Sequence, residues 1–169
     1  MTIDHYENFP VASVLLPARL RRPIALVYRF ARAADDFADE GDLPDAERLA
    51  LIAGFGDELH RIERGAPPHT ALFQQLAPMI AERRLPVALF HQLLSAFAQD
   101  VTIKRYADLT QVLDYCRRSA NPVGRLLLVL YEAATEQNNT WSDNICSALQ
   151  IINFLQDIAV DFARGRIYM

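Results

Sequence analysis

Apolar residues recur along nearly the whole chain at steps of three and four, the period of a helix packed on one side. Nowhere do valine or isoleucine alternate with polar residues over the length of a strand. A short segment over 9–19 leads to Pro23. Proline suits a first helical position, so a helix is predicted to start there, with Ile24, Val27, Tyr28 and Ala31 as its apolar stripe down to a break at 41–44. A second helix is predicted over 45–64, closed by Gly65, Pro67 and Pro68, and further helices over 70–84 and 86–104. Another begins near Asp108 and carries Leu109, Val112, Leu113 and Cys116 on one face. Asn121 and Pro122 interrupt it, and 123–134 continues apolar. Thr140 followed by Asp143 has the form of a capping box, which predicts that the last helix opens there and runs to Phe162. No repeat, low-complexity tract or linker divides the chain, so the pattern predicts one all-α domain over 1–169.

Composition narrows this further. A chain of 169 residues, 51% apolar and with only 6 glycines, suits one domain with a sizeable core. A net charge of −4, a pI of 5.5 and the lack of a basic tract argue against a nucleic-acid partner. Cys116 and Cys146 are far apart and have no metal-ligand spacing. They read as two small buried side chains in a reducing compartment rather than as a disulfide. The N-terminus has neither a basic n-region nor an apolar h-region, and no apolar run reaches the roughly 18 residues of a membrane span. A cytoplasmic protein is expected, with peripheral membrane contact left open.

Two aspartate-rich segments carry the chemistry. On a helix, Arg32, Asp35, Asp36 and Asp39 fall within an arc of about 100°, and Gln150, Asn153, Asp157 and Asp161 within about 80°. Facing each other, two such stripes could hold hard divalent cations, and the cations a diphosphate. In the first segment the acids stand at the C-terminal end of their helix, where the helix dipole disfavours anions, and Asp35 repels Asp39 one turn away. A sequence that breaks two local rules at one place is often maintaining a site, and a bound cation would remove both penalties. The alternative is a solvated helix end. In the second segment Ile151, Ile152, Phe154, Leu155, Ile158, Val160 and Phe162 surround the acids, so this helix is expected to be buried and its carboxylates to need a counter-charge. Only Arg164 and Arg166, beyond its end, offer one, which leaves a lined cavity and a structural salt bridge as the two readings. Neither stripe contains His or Cys, which argues against zinc. Oxygen ligands suit Mg²⁺, which takes one or two carboxylates together with substrate phosphates. Arg32 could add a bidentate phosphate contact.

Taken in order, these segments resemble the squalene/phytoene synthase family, the head-to-head branch of the class I isoprenoid synthases, along essentially the whole sequence. Arg32 to Asp39 resembles its first aspartate motif, and Asp100, Arg105 and Tyr106 resemble its D-L-x-x-x-R-Y segment. Tyr115, Cys116, Ala120, Val123 and Gly124 resemble Y-C-x-x-V-A-G-x-V-G, and Gln150, Asn153, Asp157 and Asp161 resemble the second motif, followed by Gly165, Arg166, Ile167 and Tyr168. The fold this implies is the all-α class I isoprenoid (terpenoid) synthase helical bundle. By the same resemblance Asp35, Asp39, Asn153, Asp157 and Asp161 would serve Mg²⁺ with Asp36 in support. Arg32, Gln150 and Tyr168 would lie around the diphosphate, and Phe9 and Tyr115 would line the cavity. The segments at 5–13, 120–124 and 153–157 are most similar to the bacterial hopanoid-pathway branch, which ionises presqualene diphosphate and lets water trap the rearranged cation as hydroxysqualene. The implied substrate is therefore presqualene diphosphate, with farnesyl diphosphate as the alternative for a two-step synthase, and companion pathway enzymes are the protein partners left open. Gln156 stands where much of the family has Arg, and Asn121 with Pro122 replaces a Gly, which favours an enzyme that handles only the second diphosphate. No glycine-rich dinucleotide loop is present, so no NADPH site is expected. The chain ends in the turn after the second motif, where family members continue. The expectation is an N-terminal portion of the domain, incomplete at the C-terminus, with some apolar surface lacking its cover.

Overall fold

The structure is a computed structural model that describes residues 16–39, 41–163 and 165–168. Among these, eight helices account for the regular structure and no strand is formed. Phe9 and the 5–13 segment lie outside the described residues, as does Arg164. Helix α1 (Ala18–Asp39) buries Leu20, Pro23, Ile24, Val27, Phe30, Ala34 and Ala38, one face at helical spacing. It begins five residues before Pro23, not at it. Burial of that proline against the core offsets the backbone bond its ring removes, a tertiary term invisible to local propensity. Helix α2 (Asp45–Glu63) follows the dipole rule, with Asp45 and Glu47 in its first turn and His60 and Arg61 in its last. Helices α3 (Ala71–Arg83) and α4 (Val87–Thr102) complete the first half, joined through Arg84 in a left-handed conformation.

Phe30 sits at the centre of these four helices. Its ring meets Phe73 and Phe90 edge-to-face at 5.8 and 5.1 Å, and Phe55 at 5.7 Å. Helix α5 (Leu109–Ser119) opens with Asp108, whose carboxylate accepts the Gln111 N–H at 2.9 Å. The break at Asn121 and Pro122 is present, and α6 (Asn121–Leu130) restarts there with proline in its first turn.

Helix α7 (Glu136–Gln156) starts earlier than the capping-box reading placed it. Thr135 is the N-cap and accepts the Asn138 N–H at 3.1 Å, while the Thr140 hydroxyl donates to Glu136 O inside the helix. It also does not run to Phe162. The chain breaks at Asp157 and resumes as α8 (Ile158–Ala163). An apolar periodicity continues across such a break, so the pattern alone could not locate it.

The expected burial of the second acidic segment is not observed. Phe154 is buried, but Ile152, Leu155, Ile158, Val160 and Phe162 are each about half exposed or more. Trp141, Ile145 and Leu149 continue this open face up α7. The rule that an all-round apolar helix is buried presumes a neighbour on every side, and no described element covers this one. Both cysteines are free thiols, Cys116 buried and Cys146 half-buried. No helix among the described residues is long and apolar enough to cross a membrane.

Candidate active site

The end of α1 presents its acids as read from the sequence. Arg32 lies on the same face and holds two of them, at 3.3 Å from Asp35 and 2.8 Å from Asp36. Two arginines from elsewhere offset the unfavourable placement of anions at a helix C-terminus. Arg48 of α2 donates to Phe37 O at 3.1 Å and also to Gly41 O, which satisfies the open end of the helix. Arg166, only 8% exposed, closes a bidentate pair on Asp39 at 2.9 and 2.5 Å. The counter-charge sought for the second acidic segment is thus spent on the first.

Arg166 is delivered by the turn after α8. Its N–H donates to Asp161 O at 2.8 Å. The next residue, Ile167, donates its N–H to Lys104 O at 2.8 Å, and Tyr106 donates its N–H to Ile167 O at 3.1 Å. Three segments distant in sequence therefore meet at one point: the end of α1, the end of α4 and the tail of the second motif. Among the described residues, helix α1 makes at most a slight contact with α7. Helix α6 packs against both, and the link between the two acidic segments runs through Arg166. The break at Asp157 turns α8 aside, so only Gln150 and Asn153 remain on one continuous helix.

Asp100 completes the cluster. It is 4% exposed on α4. The Tyr115 hydroxyl donates to its Oδ2 at 2.5 Å, and the Tyr168 hydroxyl approaches its Oδ1 at 3.5 Å. Burial pushes its carboxyl up to about 7. The Tyr115 hydrogen bond and Arg166 act against the shift, while Asp39 and Asp35 add to it. Asp35 is pushed up to about 6, first by burial and then by Asp39, with Arg32 opposing. Burial and the nearby Asp100 also hold the Tyr115 and Tyr168 hydroxyls well above the usual phenol range. Lys104 is lowered by burial and by Arg166. Around this polar knot stands an aromatic wall. Tyr168 stacks flat on Phe154 at 4.0 Å, and Tyr106 lies 5.4 Å from Tyr168 and 5.6 Å from Tyr115. A cleft of about 230 Å³ runs between Phe154, Ile158, Asp161, Phe162, Arg166 and Tyr168.

Of the residues singled out from the sequence, Arg32, Asp35, Asp36, Asp39, Tyr115, Asp161 and Tyr168 come to this region. Gln150 and Asn153 are half-buried on α7, and Asp157 is exposed at the helix break. Asp100 and Arg166 also belong to this region, although neither lies on the two acidic stripes. The usable signal for Asp100 was an acid within the buried stripe of Leu93, Ala96, Phe97 and Val101. The donor set around Asp35 fits a hard cation: it offers carboxylate oxygen, and burial with the neighbouring Asp39 raises the Asp35 carboxyl, an effect that a bound cation would offset. Asp39 in this arrangement gives both oxygens to Arg166.

An α-helical bundle with clustered acids at one helix end, flanked by an aromatic wall, has the form of a diphosphate-handling isoprenoid synthase. The squalene/phytoene synthase family matches residues 3–169, and the chain belongs to that family. It is 39% identical over 166 residues to the hydroxysqualene synthase of Zymomonas mobilis, covering 96% of this chain and 54% of that protein. It is 40% identical to the hydroxysqualene synthase of Rhodopseudomonas palustris, with the same coverage. The crystal structure of squalene synthase HpnC from Alicyclobacillus acidocaldarius superposes with a TM-score of 0.84 at 37% identity, over 96% of this chain and 60% of that one. The chain spans little more than half the length of these relatives.

Proposed function

We propose that this chain contributes to a Mg²⁺-dependent enzyme that ionises presqualene diphosphate and releases hydroxysqualene. The observation that carries the reading is the acid cluster of half-buried Asp35 and buried Asp100 beside Asp39 and Arg166, set against an aromatic wall. The similarity to hydroxysqualene synthases supports it.

In this reading Asp35 and Asp36 hold the metal, with Asn153, Asp157 and Asp161 from the second motif. Bound Mg²⁺ would supply positive charge to the diphosphate as the C–O bond ionises and the electron pair leaves with it. Arg32 keeps Asp35 and Asp36 oriented and can turn to the diphosphate. Arg166 pins the tail of the second motif to α1, which fixes the distance between the two acidic segments. Tyr115, Tyr168, Tyr106 and Phe154 offer ring faces to the cation and keep bulk water away from it. A single admitted water then forms the new C–O bond, and its proton passes to the released diphosphate or to solvent. Gln150 would contact the diphosphate in this reading.

The test is to incubate the full-length protein with presqualene diphosphate and identify the product with and without Mg²⁺ and NADPH. Hydroxysqualene that requires Mg²⁺ and ignores NADPH supports the proposal. Squalene formed only with NADPH, or efficient use of farnesyl diphosphate alone, supports a squalene or phytoene synthase instead. No turnover of either diphosphate indicates a non-catalytic family member.

A further inference from the structure

At the opposite end of the α2–α4 pair from the acid cluster, three side chains converge that the reaction does not use. His60 and Glu63 stand one turn apart at the end of α2, and His91 faces them from the second turn of α4. One ligand atom from each can be chosen so that all three lie within 4.8 Å of one another. His60 Nδ1 is 2.9 Å from Glu63 Oε2, and His91 Nε2 is 3.5 Å from Glu63 Oε1. The two imidazoles lie nearly face to face, with ring centroids 4.7 Å apart and planes 34° apart. His91 Nε2 is sealed from solvent and makes no hydrogen bond of good geometry, only the 3.5 Å contact with Glu63 Oε1. A sealed imidazole nitrogen so placed gains from a closer partner, and an ion between it and the carboxylate would supply one.

We propose that His60, Glu63 and His91 form a binding site for a borderline divalent transition ion of the Zn²⁺ type, clipping α2 to α4. Two imidazoles and a carboxylate are the donor types such ions take, whereas Mg²⁺ favours oxygen alone. Metal–ligand distances of about 2.1 Å place tetrahedral ligand atoms roughly 3.4 Å apart, and the three ligand atoms already lie within 4.8 Å of one another, so side-chain rotations at exposed His60 and Glu63 can close the set. The side chains of His60 and Glu63 are 55% and 40% exposed, which leaves the remaining coordination position open to water. The site is separate from the acid cluster: His91 precedes Asp100 by nine residues, about 13 Å along α4.

The test is Zn²⁺ titration of the full-length protein by calorimetry in saturating Mg²⁺, which occupies oxygen-only sites. The wild type is expected to take up Zn²⁺ at a saturable site that weakens by at least about tenfold in both His91→Ala and Glu63→Gln. At about a hundredfold excess of Zn²⁺ over Kd the wild type should melt about 5 to 10 °C higher, a shift both variants lose. The metal-free melting temperatures and circular dichroism of the variants check that they fold. Should they fail to fold, anomalous scattering at the zinc edge from wild-type crystals decides, with a peak expected between the three side chains. No saturable Zn²⁺ uptake by the wild type, unchanged affinity in both folded variants, or no anomalous peak there overturns the proposal. None of these results bears on the proposed synthase reaction.

Discussion

Replacing Asp100 by Asn isolates the electrostatic strain at the centre of the cluster. In the unfolded chain an aspartate ionises near 3.8, whereas burial moves Asp100 to about 7. A raised carboxyl favours the protonated fold, so its contribution to stability is complete below about pH 4 and is lost as the pH rises through about 7. Between pH 5 and pH 7 that is two units at about 1.4 kcal/mol each, close to 3 kcal/mol, and little changes above. Asp100 is only 4% exposed, so solvent screening reduces this figure little. Asn is close in shape, can still accept the Tyr115 hydroxyl and never ionises. Asp35 titrates in the same window but does so in both proteins. Urea unfolding of the full-length protein, free of divalent metal, at pH 5 and pH 8 should show the wild type losing about 3 kcal/mol more than Asp100→Asn over that interval. In melting temperature the difference is roughly 6 to 10 °C. Equal losses in the two proteins would refute the assignment of Asp100 as a buried, strained carboxyl.

Arg166→Met removes one partner of a largely buried ion pair and should destabilise the protein by about 3 kcal/mol at pH 8 in thermal or urea unfolding; a change below about 1 kcal/mol would remove the pair's role in joining the motifs. Gly124→Ala places a Cβ against Ser142 Oγ and 2.6 Å from Cys146 Sγ, so these side chains must swing aside or α6 and α7 must separate, at about 1–3 kcal/mol by the same assay. Asp157→Ala alters an exposed side chain and should leave metal-free stability within about 0.5 kcal/mol while abolishing turnover. A large loss of stability would make Asp157 a structural residue instead.

The all-α fold and most helix positions were legible because apolar spacing, proline and glycine breaks and the Asp108 cap are local signals. The failures have different origins. Pro23 inside α1 is offset by burial that local preference does not show, whereas α7 starts on a local cap at Thr135, five residues before the Thr140 pattern that resembles one. The burial expected around Ile158 and Phe162 depended on neighbours that a periodicity count presumes. At the site, the acids of α1 stood out because they contradict the helix dipole. Their relief by Arg48 and Arg166 did not, because those partners lie 11 and 127 residues away from the groups they meet. Asp100 carries one local signal, an acid within the apolar stripe of α4, but its partners do not: Tyr115 and Tyr168 lie 15 and 68 residues away.

The proposal that water, not hydride, ends the reaction is tested most directly by the origin of the product oxygen. The full-length enzyme, given presqualene diphosphate and Mg²⁺ in ¹⁸O-labelled water with NADPH also present, should release hydroxysqualene carrying the label in its hydroxyl group. Unlabelled alcohol, or squalene in place of alcohol, would contradict the account.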